Sequence, residues 1–150
     1  MTTADLGPVL FAYDGSELAK EAIGEAGRQL APGRDALVLT VWRPFVVGFV
    51  PAGEREFDAA ASDQVREAAE ETAAQGATLA GTAGFRAQSI AVDAAPTWKG
   101  IRDVADDREA SLIVLGSHGK SGLTGAFVAS VASTLAAHAR RSVLIVHKRV

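Results

Sequence analysis

The chain has 150 residues and a mass of 15.5 kDa, which is the size of a single domain, and its 48% hydrophobic content is enough for one buried core. Fifteen basic against eighteen acidic residues give a net charge of −3, so no excess of positive charge is offered to a nucleic acid or an anionic membrane. The chain contains no cysteine, which excludes a disulfide framework, a thiolate nucleophile and a metal site with cysteine ligands.

The start of the chain and its apolar runs bear on where the protein works. Residues 1–8 are polar and lack the basic start and long apolar stretch of a secretory signal. The longest apolar runs, such as Val9–Tyr13 and Leu112–Leu115, are far shorter than the roughly 20 residues that cross a bilayer. We therefore expect a cytoplasmic protein without a membrane span.

Short apolar runs bounded by Gly, Pro or Asp alternate with longer segments of helical period. This alternation is typical of βαβ units that build a buried parallel sheet. The predicted strands are Val9–Tyr13, Ala36–Trp42, Arg86–Ala94, Ser111–Leu115 and Ser142–His147. The first and fourth strands lack alternating polar residues, which predicts that they are central and covered on both faces.

Four helices are predicted from the spacing of apolar residues between these strands. The first begins after Ser16, which is its predicted N-cap. The second covers about Glu54–Ala80, the third opens at Pro96 or Thr97, and the fourth covers about Thr124–Ala139. The residues of the fourth helix that are predicted to face the sheet are Phe127, Val131, Leu135 and Ala139.

An apolar loop at residues 43–53 separates the second strand from the second helix. It is punctuated by proline and glycine and carries Phe45, Val47 and Phe49. Two interpretations stay open: the loop binds a ligand or a partner, or its apolar side chains cover the core.

The segment from Gly116 to Gly125 carries four glycines at every third position, between a buried strand and a helix. Glycines let the backbone turn sharply and bring its N–H groups to an anion, and the next helix adds the positive end of its dipole. The segment therefore predicts a phosphate site, and the alternative is a strand-to-helix turn without a ligand. It is not a Walker A loop, because that motif needs a glycine where this chain has Val114.

Asp14 follows the first strand as Gly116 follows the fourth. Ligands of open α/β sheets bind at the carboxyl ends of strands where the strand order reverses, so we expect these two residues to share a site. An Asp-Gly-Ser turn that caps the next helix explains Asp14 equally well. We assign no catalytic residue, since no base supports a nucleophile, and we expect His118 to face ligand or solvent. The three histidines lie far apart, which argues against a histidine metal site.

Over essentially its whole length the chain resembles the universal stress protein family. The resemblance lies in the opening strand that ends Tyr13-Asp14-Gly15-Ser16, in the passage through Pro96 to the run SLIVLGSHG at 111–119, and in Gly116–Val131 followed by the apolar strand 142–146. It implies one α/β domain, residues 1–150, with an open five-stranded parallel sheet and helices on both faces. The implied fold is similar to Rossmann and adenine-nucleotide α-hydrolase folds, with strand order 3-2-1-4-5.

The ATP-binding members of this family carry the motif G-x2-G-x9-G-[S/T]. Gly116 and Gly119 match its first half and Ser130 its hydroxyl, while Ala129 stands at the third glycine. Alanine keeps the backbone N–H, so the resemblance implies ATP binding, provided that Ala129 has helical angles and its methyl group points away from the ligand. The residues that the resemblance implies around ATP, with or without Mg²⁺, are Ala12, Asp14, Val41, Gly116, His118, Gly119, Lys120, Ser121, Ala129, Ser130 and Val131.

The resemblance also implies a homodimer through the last strand, whose apolar residues are Val143, Leu144, Ile145 and Val146. Two functions follow as expectations. One is a cytoplasmic stress-response protein that binds ATP and catalyses at most its slow hydrolysis. The other is a dimeric interaction module of the same fold that binds no nucleotide.

Overall fold

The computed structural model of the chain describes residues 6–43, 55–119 and 130–149, with the side chains of all of these except residues 55–61. The apolar loop predicted at residues 43–53 lies outside the described residues from position 44 on. In chain order the elements are β1 (Val9–Ala12), α1 (Glu17–Gln29), β2 (Asp35–Trp42), α2 (Arg55–Thr82), β3 (Arg86–Asp93), α3 (Thr97–Asp107), β4 (Leu112–Gly116), α4 (Val131–His138) and β5 (Ser142–Val146).

The five strands form one sheet in the order β3-β2-β1-β4-β5, and every neighbouring pair is parallel. Val9 pairs with Ala36 of β2 on one side and with Leu112 of β4 on the other, so β1 lies in the middle. All strands therefore end at one edge of the sheet, the carboxyl edge, and begin at the opposite amino edge. The α/β fold, the strand order and the central position of the first and fourth strands are confirmed.

The helices cover both faces of the sheet because side chains alternate between the faces along each strand. Phe11 points into a cluster that contains residues of α1 and α2. Its neighbour Leu10 points into a second cluster, formed with residues of α3 and α4. Both side chains are fully buried, which explains why β1 is apolar at every position. In the described part of the chain, no helix is long and apolar enough to cross a membrane.

The fourth helix differs from its prediction. Ser130 has extended backbone angles, φ −58° and ψ 144°, and its hydroxyl accepts a hydrogen bond from the Ser133 N–H at 3.0 Å. Ser130 is therefore the N-cap of α4, and the prediction of a helix running through this position is wrong. Val131, predicted to face the sheet, is 36% exposed, whereas Leu135 is buried as predicted. Phe127 lies outside the described residues.

A buried arginine ties the starts of two central strands together at the amino edge. Arg34 is 8% exposed, and its Nη2 donates to the Ser111 hydroxyl at 2.5 Å. The same hydroxyl donates to the Gly7 carbonyl at 2.7 Å, directly before β1. Among the described residues, no carboxylate lies within salt-bridge distance of Arg34. In the part of the chain that the structure describes, this buried positive charge at the amino edge is therefore satisfied by neutral groups.

Candidate functional site

The strand order reverses between β1 and β4. The chain leaves β1 towards β2 on one side, and it leaves β4 towards β5 on the other. The strand order therefore switches direction at the carboxyl ends of β1 and β4, and open α/β sheets bind ligands at such a switch point. The residues at this switch point are Asp14, which follows β1, and Gly116–Gly119, which begin with the last residue of β4.

Asp14 is held in a tight turn at the entrance to α1. Its Oδ1 accepts a hydrogen bond from the Ser16 N–H at 2.9 Å, and Gly15 between them has φ +80°, which favours glycine. The Ser16 hydroxyl in turn accepts from the Ala19 N–H at 3.2 Å, which confirms Ser16 as the N-cap of α1. The turn fixes the direction of the Asp14 carboxylate before any ligand is present.

Gly119 brings the segment after β4 against this carboxylate. A Cβ atom built on Gly119 would fall onto Oδ2 of Asp14, well inside any allowed contact distance. A Cβ on Gly116 would lie 2.8 Å from Cγ of Leu18 and 3.3 Å from the His118 carbonyl oxygen. A side chain at either position would therefore have to displace a neighbouring group. The contact joins two segments that are more than 100 residues apart in the sequence.

His118 is exposed beside this contact. Its Nδ1 lies 3.4 Å from the Gly119 carbonyl oxygen, and the imidazole is otherwise directed outwards. Ser117 is half-buried, and its backbone N–H donates to the Val146 carbonyl at 2.8 Å. The first part of the glycine segment is thus attached to the end of β5, while the histidine side chain is accessible to a ligand.

An apolar surface lies on one face of the sheet near the carboxyl edge. Ala12 at the end of β1 and Val41 near the end of β2 are half-buried and pack against the cluster beneath α3 and α4. Gly100 of α3 approaches so closely that a Cβ there would lie 3.5 Å from Cγ1 of Val41 and 2.5 Å from Cβ of Ala94. Ala12 and Val41 are therefore packed with residues of α3 and α4 near the carboxyl edge.

Ser130 and Val131 begin α4, at the far end of the glycine segment. The Ser130 hydroxyl accepts from the Ser133 N–H and donates to the Ser133 hydroxyl, both at 3.0 Å. The exposed Val131 directly follows it. The remaining predicted ligand residues, Lys120, Ser121 and Ala129, lie outside the described residues. The sequence analysis identifies Ser130 only as a motif match, although serine is also among the residues preferred at the N-cap of a helix.

Tyr13 also lies near the carboxyl edge, but it belongs to the core. It is 4% exposed, and burial raises the pKa of its hydroxyl above the usual range, so the phenol stays protonated at neutral pH. Its backbone carbonyl accepts a hydrogen bond from the Thr40 hydroxyl at 2.8 Å. Among the described residues, no group of three acidic, histidine or cysteine side chains is placed to hold a metal ion.

Comparison with known proteins gives one family match and many related structures. The model of the universal stress protein family matches residues 6–147. A search of curated protein sequences finds no match.

Three solved structures show the likeness in fold. The structure of hypothetical protein MJ0577 is 22% identical, with a TM-score of 0.78 over 96% of this chain and 97% of that one. A universal stress protein in complex with cAMP is 23% identical, with a TM-score of 0.64 over 95% and 97%. The universal stress protein from Archaeoglobus fulgidus in complex with dAMP is 19% identical, with a TM-score of 0.54 over 93% and 96%.

Proposed function

Because the chain belongs to the universal stress protein family, we propose that it binds an adenine nucleotide, ATP in the first place, at the carboxyl ends of β1 and β4. We propose further that it acts in the cytoplasm as a dimeric regulatory protein of the stress response. One observation carries the proposal: Gly119 lies against the Asp14 carboxylate where the strand order reverses. This contact lies at the switch point of the sheet, which is where folds of this kind bind their ligands.

Each part of the nucleotide has a matching surface in this arrangement. Ala12 and Val41 offer an apolar face to adenine, and the Asp14 carboxylate, fixed by the Ser16 N–H, is suited to accept hydrogen bonds from ribose hydroxyls. The backbone N–H groups after Ser117 and the N-terminus of α4 suit the phosphates. The proposal also includes His118, Lys120, Ser121, Ala129, Ser130 and Val131 as ligand residues, with Mg²⁺ as a companion of the phosphates.

The related structures support adenine as the base. One relative is solved with cAMP and another with dAMP, and both ligands are adenine nucleotides. The proposal assigns no catalytic residue and at most slow hydrolysis of ATP. Sustained Mg²⁺-dependent turnover that is lost on Asp14→Asn would contradict this assignment.

Ser130→Asp is expected to separate helix capping from nucleotide binding. Aspartate caps helices about as well as serine, so the melting temperature of the free protein should change little. Its added negative charge faces the phosphates, so the affinity for ATP should fall by about tenfold or more. Calorimetric titration of ATP with Mg²⁺ into the wild type and the variant measures this.

Ser130→Thr is the matched control, because threonine keeps both the cap and the neutral hydroxyl. It should bind ATP nearly as well as the wild type. Equal affinities of the aspartate variant and the wild type would remove Ser130 from the ligand site. GTP and AMP titrations show how far the base and the outer phosphates contribute.

A specific observation favours the second candidate function, an interaction module that binds no nucleotide. The Ser130 hydroxyl and Oδ1 of Asp14 already have hydrogen-bonding partners within the chain. Both side chains therefore have a structural role that needs no ligand. Native mass spectrometry of gently purified protein separates the two candidates: bound ATP or AMP excludes the module, and nucleotide-free protein that gives no heat with ATP supports it.

The proposed dimer uses the edge of the sheet that β5 forms. β5 is paired only with β4, and Val143, Leu144 and Ile145 are half-buried while Val146 is buried. An apolar edge strand of this kind is a template for pairing with a second copy.

Val143→Lys is expected to convert the dimer into a monomer in sedimentation velocity experiments, because an edge lysine opposes strand pairing. Leu79→Lys is the matched control, since Leu79 is an exposed leucine of α2, 38% accessible and far along the chain from β5. The control should sediment as the wild type does. A wild type that sediments as a monomer at all concentrations would contradict the dimer.

A further inference from the structure

A groove of about 570 Å³ opens at the amino edge of the sheet, at the opposite end of the strands from Asp14 and Gly119. It lies between the starts of β1, β2 and β3 and the C-terminal end of α3, where Pro8, Leu37, Gln88 and Arg108 line it. Its volume is within the range of small-molecule sites in proteins. The proposed nucleotide site does not use any of these residues.

The groove has an apolar floor and a polar rim. Leu37 is buried at its base on the α3 face of the sheet, and Pro8 beside it is half-buried. Ala36 and Ala87 also line the groove, but their side chains are on the other face of the sheet. A ligand body that rests here removes apolar surface from water, which is favourable in proportion to the area covered. The floor therefore suits a short aliphatic or aromatic body better than a fully polar molecule.

The rim has an excess of positive charge. Nε of Arg86 lies 2.8 Å from Oδ1 of Asp35, so this arginine is neutralised by the aspartate beside it. Arg108 also lines the groove, is exposed, and has no carboxylate within 4.0 Å among the described residues. Two arginines and one aspartate leave one uncompensated positive charge in the lining.

The surroundings strengthen this positive field. Arg34 directly precedes β2 and is buried, and within the described ranges its hydrogen-bond partners are the Ser111 hydroxyl and the Gly7 carbonyl. Its charge is screened less by solvent than that of an exposed side chain. The exposed Gln88 contributes an amide that can donate to a carboxylate oxygen not taken by an arginine.

We propose that this groove is a second ligand site, for a small organic monoanion in which a carboxylate is attached to a short apolar body. Arg108 binds the carboxylate through its planar pair of N–H donors, and the floor at Leu37 covers the apolar body. A single negative charge matches the single uncompensated arginine. The residues that line this site are all at the amino edge, so the proposal is independent of whether the protein binds a nucleotide at the carboxyl edge.

Titration with hexanoate at constant ionic strength, followed in ¹H–¹⁵N NMR spectra of the full chain, tests this site. We expect saturable shifts concentrated at Arg86–Gln88 and Arg108, and little change at Asp14 or Gly119. Hexanamide has the same body without the charge, and acetate has the charge without the body. Both should bind at least about tenfold more weakly than hexanoate.

Arg108→Gln should weaken hexanoate binding by about tenfold or more, because it removes the charge and the paired donors. Arg28→Gln is the matched control, since Arg28 is an exposed arginine of α1 outside the groove. It should leave the affinity unchanged.

Several results would overturn the proposal. The NMR shifts produced by hexanoate could fail to saturate, or they could be spread over the whole surface. Hexanamide could bind as tightly as hexanoate, or the Arg108→Gln variant could bind hexanoate as tightly as the wild type does. Butyl phosphate tests the anionic group: binding tighter than that of hexanoate would overturn the choice of a carboxylate. Displacement of hexanoate by ATP would show that the groove is a nucleotide site instead.

Discussion

Gly119→Ala is expected to weaken ATP binding by at least about tenfold, which corresponds to about 1.4 kcal/mol of binding free energy. The added methyl group would fall onto Oδ2 of Asp14, so either the carboxylate or the segment after β4 has to move. Oδ1 of the same carboxylate is held by the Ser16 N–H, which limits the movement available to Asp14. The displaced groups are those proposed to contact ribose and phosphates. Calorimetric titration and the thermal shift produced by ATP measure the loss.

Gly81→Ala is the control for the general effect of adding a methyl group. Gly81 lies in α2, and a Cβ there would meet no atom within 4 Å. This variant should bind ATP normally and gain a little stability, up to about 1 kcal/mol.

A double variant tests the cause of the Gly119 effect. If the clash with Asp14 is responsible, the double variant Gly119→Ala, Asp14→Gly should lose less ATP-binding free energy than the two single variants lose in total. Strict additivity of the two effects would show that the methyl group acts elsewhere. Unchanged ATP affinity in Gly119→Ala alone would remove this contact from the site.

Phe11→Ala is expected to lower the free energy of unfolding by about 3–5 kcal/mol, the largest effect on stability that we predict. Phe11 is 1% exposed in the central strand and makes an edge-to-face contact with Phe85, with ring centroids 5.2 Å apart. Truncation removes this contact and leaves a cavity beneath α1 and α2 that the surrounding strands cannot fill. Urea denaturation followed by circular dichroism measures the change.

Phe11→Leu is the matched comparison, because it keeps most of the apolar volume and should cost clearly less than the alanine variant. Where the alanine variant remains folded, it should still bind ATP, since the Phe11 side chain points away from Ala12 and Val41 into the other cluster. If Phe11→Ala lowers the free energy of unfolding by less than about 1 kcal/mol, the prediction is wrong, and the core rearranges to fill the space of the missing ring.

The secondary structure of this chain was predictable where local pattern and burial agree. The first and fourth strands are apolar at successive positions because helices cover both of their faces, and the structure confirms that they are central. Ser16 was recognised as an N-cap because a short polar side chain precedes a run of helical period, and its hydroxyl does accept the Ala19 N–H. The strand order came from the family resemblance rather than from local pattern.

Other features depend on contacts between distant segments and leave no local signal. The approach of Gly119 to Asp14 spans 105 positions, from residue 14 to residue 119. The buried Arg34 is bonded to Ser111, 77 residues away, so no local pattern indicates its burial. The predicted fourth helix runs through Ser130 because apolar residues with helical spacing occur on both sides of it. The structure shows that Ser130 is the N-cap, so α4 begins at Val131.

The hydrogen bond from the Ser117 N–H to the Val146 carbonyl has a thermodynamic consequence. It joins the segment proposed to bind phosphate to the last residue of the strand proposed to pair two copies. Linkage between two binding equilibria is reciprocal. If bound ATP strengthens dimerisation through this bond by some factor, dimerisation therefore strengthens ATP binding by the same factor. The concentration of the protein would then act as a regulator of its own occupancy by nucleotide.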